Sequence, residues 1–186
     1  MNRFKKIFND KFKIKSLISF FAQLFLFALI FGAASWWQQR NMLETNSQIV
    51  APSISLPNLQ GETYSLSFSD LENDKKQTLV YFFAPWCSVC HFSVDSLEAI
   101  KQSGNYPNLE IVMIALDWKT KEEVEAFLSK HKLSMTVLLG NHTTSQDYKI
   151  TAFPSYYLVS STGEVVAKDM GFTTQLGIKS RLLMSD

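Results

Sequence analysis

The chain holds two cysteines among its 186 residues, and two residues separate them in Trp86-Cys87-Ser88-Val89-Cys90-His91. A β-prone run, Thr78-Leu79-Val80-Tyr81-Phe82-Phe83-Ala84, leads into this stretch, and a helical pattern from Val89 to Ser103 leads out. The fold must therefore carry its one cysteine pair at a strand-to-helix junction. A helix N-terminus presents unsatisfied N–H groups and the positive end of the helix dipole. A thiolate placed there is stabilised, so its pKa falls below the free-thiol value of about 8.5. Cys87 takes that place and is expected to be the exposed nucleophile. Cys90, Val94, Leu97 and Ile100 recur at helical spacing on one apolar face, which shields Cys90 as the resolving thiol. In thiol–disulfide exchange the first sulfur attacks to form a mixed disulfide, and the second releases the product by closing the ring. A structural staple is disfavoured, because a disulfide across so short a loop restricts the unfolded chain little.

The formal net charge of +1 gives no sign of a nucleic-acid or acidic partner. The charge is unevenly placed. Arg3, Lys5, Lys6, Lys11, Lys13 and Lys15 crowd the start against the single acid Asp10, and residues 16–39 carry no charge at all. As a helix that run extends about 36 Å, enough to cross the hydrocarbon core of a bilayer. Trp36 and Trp37 lie at its far end, where indoles favour the membrane interface. The positive-inside rule then leaves residues 1–15 in the cytoplasm and everything after Arg40 outside. Gly32-Ala33-Ala34 is a tolerable signal-peptide cleavage site, but the uncharged run continues past it, which favours a retained anchor. No cysteine follows the run, so lipid attachment there is excluded.

Residues 40–50 read as a polar tether and residues 51–186 as one outer domain. Pro52 to Pro57 is an extended edge segment, and a turn at Asn58-Leu59-Gln60-Gly61 joins it to a strand at Thr63-Tyr64-Ser65-Leu66. Ser69-Asp70-Leu71-Glu72 reads as one helical turn. The apolar runs Thr78 to Ala84 and Leu109 to Leu116 are central strands covered on both faces. Thr120-Lys121-Glu122-Glu123 has capping-box spacing and opens a helix with Val124, Phe127, Leu128 and His131 on one face. A shorter strand, Met135 to Leu139, and a short helix, Thr143 to Lys149, follow. Ser155 to Ser160 and Glu164 to Met170 form an antiparallel hairpin, and Thr173 to Met184 is a closing helix with Leu176, Leu182 and Leu183 available to the core. Strands alternating with helices and ending in a hairpin indicate an α/β sandwich on a mixed sheet.

With these residues in place, the outer domain resembles the thioredoxin-like fold, and within it the membrane-tethered periplasmic branch that includes TlpA and ResA, most nearly the copper-sensitivity suppressor (ScsD) group. The likeness rests on Trp86-Cys87-Ser88-Val89-Cys90, on Ser35-Trp36-Trp37-Gln38-Gln39-Arg40 at the end of the anchor, on Phe153-Pro154-Ser155, and on Gly171-Phe172-Thr173-Thr174 before the last helix. The resemblance implies a mixed central sheet flanked by helices behind one N-terminal transmembrane helix. It implies that Cys87 and Cys90 form the redox-active pair and that Pro154 is cis and faces the sulfurs. The Phe153 backbone would then be open for an extended substrate strand to pair with, while Trp86 and Phe153 form the apolar rim. No dissociable cofactor or metal is required. The implied partners are disulfide- or thiol-bearing proteins, with a DsbD-type transporter in the inner membrane as electron donor. Two positions depart from the pattern. Tyr81 stands where thioredoxin has a buried aspartate, and Ser93 where several tethered relatives have a glutamate. Asp95 and Glu98 are close in sequence, but helical spacing turns them from the Cys90 face. Ser88-Val89 leaves the net direction, reductase or oxidase, open.

Two other chemistries fit the same residues. Cys87-Ser88-Val89-Cys90-His91 matches the c-type haem attachment pattern, although a buried strand before it is the wrong context. Two thiolates also suit a soft ion such as Cu(I), whereas zinc would need further ligands, and nothing in the sequence places His131 or His142 nearby. His91 reads as a polar residue on the exposed first helical turn, and His131 as a residue at a helix C-terminus.

Overall fold

The computed structural model describes residues 19–34, 37, 39–45, 50–68 and 76–184. The chain divides into two units, residues 1–40 and 41–186. In the first, residues 19–34 are helical (α1). Its large apolar side chains lie in the open, with Phe25 65% and Phe31 77% exposed. Among the described residues no helix is long and apolar enough to cross a membrane. The expected span, 16–39, includes residues 16–18, 35, 36 and 38, which lie outside the described set. So do Ser69 to Glu72, read above as a helical turn.

The second unit has the architecture expected of alternating strands and helices. The first pair of strands, β1 (Ile54–Pro57) and β2 (Thr63–Leu66), is an antiparallel hairpin. Then come β3 (Gln77–Phe83), α2 (Ser88–Gln102), β4 (Leu109–Ala115), α3 (Lys121–His131), β5 (Thr136–Leu139), α4 (His142–Asp147), β6 (Ser155–Val159), β7 (Val165–Met170) and α5 (Gln175–Met184). Strands β3 to β7 form one mixed sheet in the order β5-β4-β3-β6-β7. Within it β3, β4 and β5 run parallel, while β6 and β7 are antiparallel additions. The β6–β7 turn needs Gly163: its φ is +83°, and a Cβ there would stand 2.2 Å from the Phe68 carbonyl oxygen.

Strand β3 is central and buried on both sides, so alternate residues serve two cores. Leu79, Tyr81 and Phe83 face a cluster that includes Cys87, Cys90, Val94, Leu97, Phe127, Tyr156, Ile178 and Leu182. Val80 and Phe82 face the opposite cluster, with Ile54, Leu56, Phe68, Tyr148 and Tyr157. Met42 belongs to that second core at 2% exposure, and the Leu43 N–H donates to the Tyr157 hydroxyl at 3.2 Å. This end of the segment read as a tether is therefore packed against the domain.

Two local expectations are corrected. Leu176 and Leu183 are 80% and 72% exposed, because the buried stripe of α5 is set by Ile178 and Leu182, one turn apart. The capping box of α3 does not close as expected: Thr120 makes no side-chain cap bond, and the Glu123 carboxylate instead accepts from the Lys119 N–H at 3.0 Å.

Candidate active site

The site lies where β3 hands over to α2. Cys87 is the N-cap of α2, with extended backbone (φ −77°, ψ 109°), and its Sγ accepts the Cys90 N–H at 3.2 Å. Both cysteines are free thiols. Because the Cys87 sulfur folds back over the first turn to cap it, the residue is 5% exposed rather than open as expected from its position; Cys90 is 0% exposed. The asymmetry survives in another form. Cys87 occupies the cap, and its sulfur accepts a backbone N–H of the first turn. Cys90 lies behind it: burial, together with its hydrogen bond to Cys87, pushes its thiol pKa well up.

The rim is aromatic. Trp86 is 62% exposed. Its indole N–H is held by Asp117, whose carbonyl and Oδ2 accept at 3.1 and 3.0 Å. Asp117 reaches that position from a left-handed backbone, φ +49°, uncommon for a residue with a Cβ. The Phe153 ring meets Trp86 edge to face at 6.0 Å. The Phe153–Pro154 bond is cis, and Pro154 is buried. Open hollows flank this rim. One of about 660 Å³ is lined by Trp86, His91, Phe127 and Lys130 among others. Another of about 530 Å³ is lined by Phe153, Asp117 and Trp118 among others.

Behind Trp86 is a line of groups that the sequence did not bring together. His91 Nδ1 and His131 Nε2 lie 2.7 Å apart, and His131 Nδ1 lies 2.8 Å from Asp95 Oδ1. With Asp95 accepting from His131 Nδ1–H, a neutral His131 accepts at Nε2 from His91 Nδ1–H. The His91 ring packs on Phe127, with centroids 4.6 Å apart. His91 is therefore half-buried rather than an exposed first-turn residue, and burial, with Lys130 and His131 beside it, lowers its pKa. His91, the histidine of the haem reading, pairs through Nδ1 with His131. Among the described residues no three His, Cys, Asp or Glu side chains are grouped to hold a metal ion. Glu98 is engaged away from the sulfurs, accepting from the Ser134 N–H at 3.0 Å, the Ser134 hydroxyl at 2.6 Å and Gln102 at 2.9 Å.

The family model described as AhpC/TSA family matches residues 48–168, well over half of the chain and all of the site described above. The chain belongs to that family. It is 27% identical over 177 residues to a thioredoxin-like protein of Haemophilus influenzae, covering 94% of this chain and 98% of that one. It is 27% identical over 118 residues to the thiol-disulfide oxidoreductase ResA of Oceanobacillus iheyensis, covering 62% of this chain and 60% of that one. A thiol-disulfide oxidoreductase from Bacteroides fragilis superposes with a TM-score of 0.61 at 26% identity, covering 73% of this chain and 98% of that chain.

Within this thioredoxin-like frame the two departures can be placed. Ser93 is spent on its own helix: its hydroxyl donates to the Val89 carbonyl at 3.0 Å. Tyr81 is fully buried on β3, in the same cluster as both cysteines.

Proposed function

We propose that this chain is a membrane-tethered periplasmic thiol-disulfide oxidoreductase that works as a protein disulfide reductase through Cys87 and Cys90. The observation that carries the reading is the sulfur of Cys87 capping α2, with Cys90 buried one turn behind it. The Cys87 thiolate attacks one sulfur of a substrate disulfide, and the other substrate sulfur leaves as a thiolate and takes a proton from solvent. Cys90 then attacks Cys87 Sγ. The second substrate sulfur is released as a thiol, and two electrons have moved from the pair to the substrate. Trp86 and Phe153 receive the polypeptide around the target disulfide, beside Pro154.

The rest of the reading concerns place and partners. Residues 1–15 are cytoplasmic, 16–39 form the anchor, 40–50 link it to the domain, and 51–186 lie in the periplasm. The anchor is supported by the uncharged run 16–39 and by the exposed phenylalanines of α1. A reductase in an oxidising compartment needs electrons from across the membrane, so a DsbD-type transporter is the proposed donor. The ScsD-like role, acting on proteins mispaired under copper stress, follows from the sequence likeness above.

The test uses the full-length chain in detergent. Wild type reduces insulin with dithiothreitol as electron source, and Cys87→Ser does not. Undiminished reduction by that variant rules out the nucleophile. In cells, loss of the transporter should shift the pair to the disulfide. A pair that stays reduced would remove the transporter from the scheme. Alkaline extraction should leave the chain in the membrane pellet, whereas a soluble product beginning at Ser35 would overturn the anchor.

A further inference from the structure

Among the described residues three buried side-chain oxygens have no hydrogen-bond partner: Thr78 Oγ1, Tyr81 Oη and Tyr156 Oη. A buried donor without an acceptor costs about 1–3 kcal/mol, so its surroundings call for an explanation. Thr78 lies at the entry end of β3, five residues before the strand ends at the site. Tyr81 and Tyr156 are cross-strand neighbours on β3 and β6, their rings stacked 6.4 Å apart at 23°. The environments of the two hydroxyls differ. Tyr156 has the Thr173 hydroxyl and Arg181 as its polar neighbours. Burial raises the Tyr81 pKa well above the ordinary range, and after burial the groups acting on it are Cys90 and then Cys87. The relation holds from the other side, since Tyr81 is among the groups that act on the Cys90 sulfur and favours its ionised form.

The Tyr81 side chain is held rigidly there. It is 0% exposed, and its ring also stacks on Phe83 at 6.3 Å. Among the described residues no carboxylate acts on the resolving sulfur: Glu98 is taken up by Ser134 and Gln102, and Asp95 by His131. The site thus contains a fixed O–H donor lacking an acceptor and a buried sulfur that must become anionic to attack.

We propose that the Tyr81 hydroxyl donates a hydrogen bond to the Cys90 thiolate as it forms, and thereby sets the rate at which the mixed disulfide is resolved. The inference rests on the exchange reaction proposed above. In the resolving step the Cys90 S–H bond breaks, Cys90 Sγ bonds to Cys87 Sγ, and the bond from Cys87 to the substrate sulfur breaks. The proton lost by Cys90 ends on the departing substrate sulfur, so a thiol and a mixed disulfide become a thiol and an intramolecular disulfide. Tyr81 keeps its own proton throughout. The hydroxyl has no hydrogen-bond partner in the resting dithiol, and the neighbouring Cys90 sulfur is the group placed to become its acceptor as charge develops there. A donor preorganised toward charge that develops only in the transition state acts on rate rather than on ground-state stability.

The experiment reacts the reduced full-length chain with Ellman's reagent under stopped flow and records two releases of thionitrobenzoate. The first reports attack by Cys87, and the second reports resolution by Cys90. Tyr81→Phe is expected to leave the first release unchanged and slow the second about tenfold, as loss of a hydrogen bond to a charged group would. The pH profile of the second release should move to higher pH. Tyr156→Phe, which removes the neighbouring unpaired hydroxyl, should leave both releases at the wild-type rate. A wild-type second release in Tyr81→Phe, or equal slowing in both variants, overturns the proposal. Absence of the first release from wild type would overturn the exchange reading itself, so the two failures are distinct. If Tyr81→Phe does not fold, Cys87→Ser gives an independent readout. Titrating its Cys90 should produce a tyrosine ultraviolet difference band that rises with the thiolate absorbance, and a thiolate titration with no tyrosine band also overturns the proposal.

Discussion

Each face of the central sheet buries two tyrosines, and the two pairs are treated in opposite ways. On the face away from the cysteines, the Tyr157 hydroxyl donates to the Tyr148 carbonyl at 2.7 Å and accepts from the Leu43 N–H, while the Tyr148 hydroxyl donates to the Pro52 carbonyl. On the cysteine face neither Tyr81 nor Tyr156 has a hydrogen-bond partner. Burial is equally complete on both sides, at 2% exposure or less for all four. The first pair ties the incoming chain near Leu43 and Pro52 to the sheet, as a closed polar network should. The second pair leaves two donors uncommitted, and that of Tyr81 stands beside the cysteine pair. The saturated pair fastens the fold, and in the unsaturated pair the proposed transient acceptor belongs to Tyr81 alone.

The largest effect that could break this contrast is on the sulfurs. Cys87→Ser should eliminate protein disulfide reduction, and Cys90→Ser should accumulate mixed disulfides with substrate proteins, visible as reducible adducts on non-reducing gels. Either variant retaining turnover would mean that the chemistry does not reside on this face. Next in size is the rim. Trp86→Ala should lower the second-order rate with a protein disulfide about tenfold, as loss of an aromatic anchor does, while attack on a small aromatic disulfide changes little. Equal losses with both substrates would make Trp86 part of the reacting centre rather than of docking.

The opposite face should answer in stability alone. Tyr157→Phe strips the Tyr148 carbonyl and the Leu43 N–H of a partner and should cost about 1–3 kcal/mol by denaturant unfolding, with exchange rates per folded molecule unchanged. Tyr81→Phe removes an unpaired hydroxyl and should leave the fold at least as stable as wild type. Equal destabilisation by the two substitutions would erase the distinction between the faces.

The smallest effect belongs to His91. Burial lowers its folded pKa below the ordinary 6.5, so the unfolded chain takes up the proton first as pH falls. His91 therefore leaves stability intact above pH ~6.5 and subtracts from it as the pH drops from there toward the lowered value. Melting temperatures followed downward from pH 7.5 should show this decline, and His91→Gln should flatten it.

What the sequence disclosed and what it withheld divide along the same physical line. Cys87, Cys90, the preceding strand and the following helix are neighbours along the chain, so spacing alone placed the cap and the buried thiol. The alternation of strands and helices and the final hairpin were legible for the same reason. The cis form of Pro154 was implied only by the family resemblance that Phe153-Pro154-Ser155 helps carry, and the structure has it. His131 meeting His91, and Asp117 holding Trp86, depend on α3 and the β4–α3 loop packing across the helix that carries the cysteines. Residues 40 and 31 positions apart in sequence leave no periodic trace of such contacts. Leu176 and Leu183 misled because a helix with several leucines does not reveal its phase; Ile178 and Leu182 decide it.

The sulfur of Cys87 is also the acceptor for the Cys90 amide. Any partner that bonds to that sulfur takes up one of its lone pairs and weakens its hold on the first turn of α2. The helix start is therefore fastened most firmly when the enzyme is ready to attack and loosened while a client is attached. Deuterium uptake at the Cys90 amide becomes a clock for the cycle, slow in the reduced resting form and fast in the covalent complex.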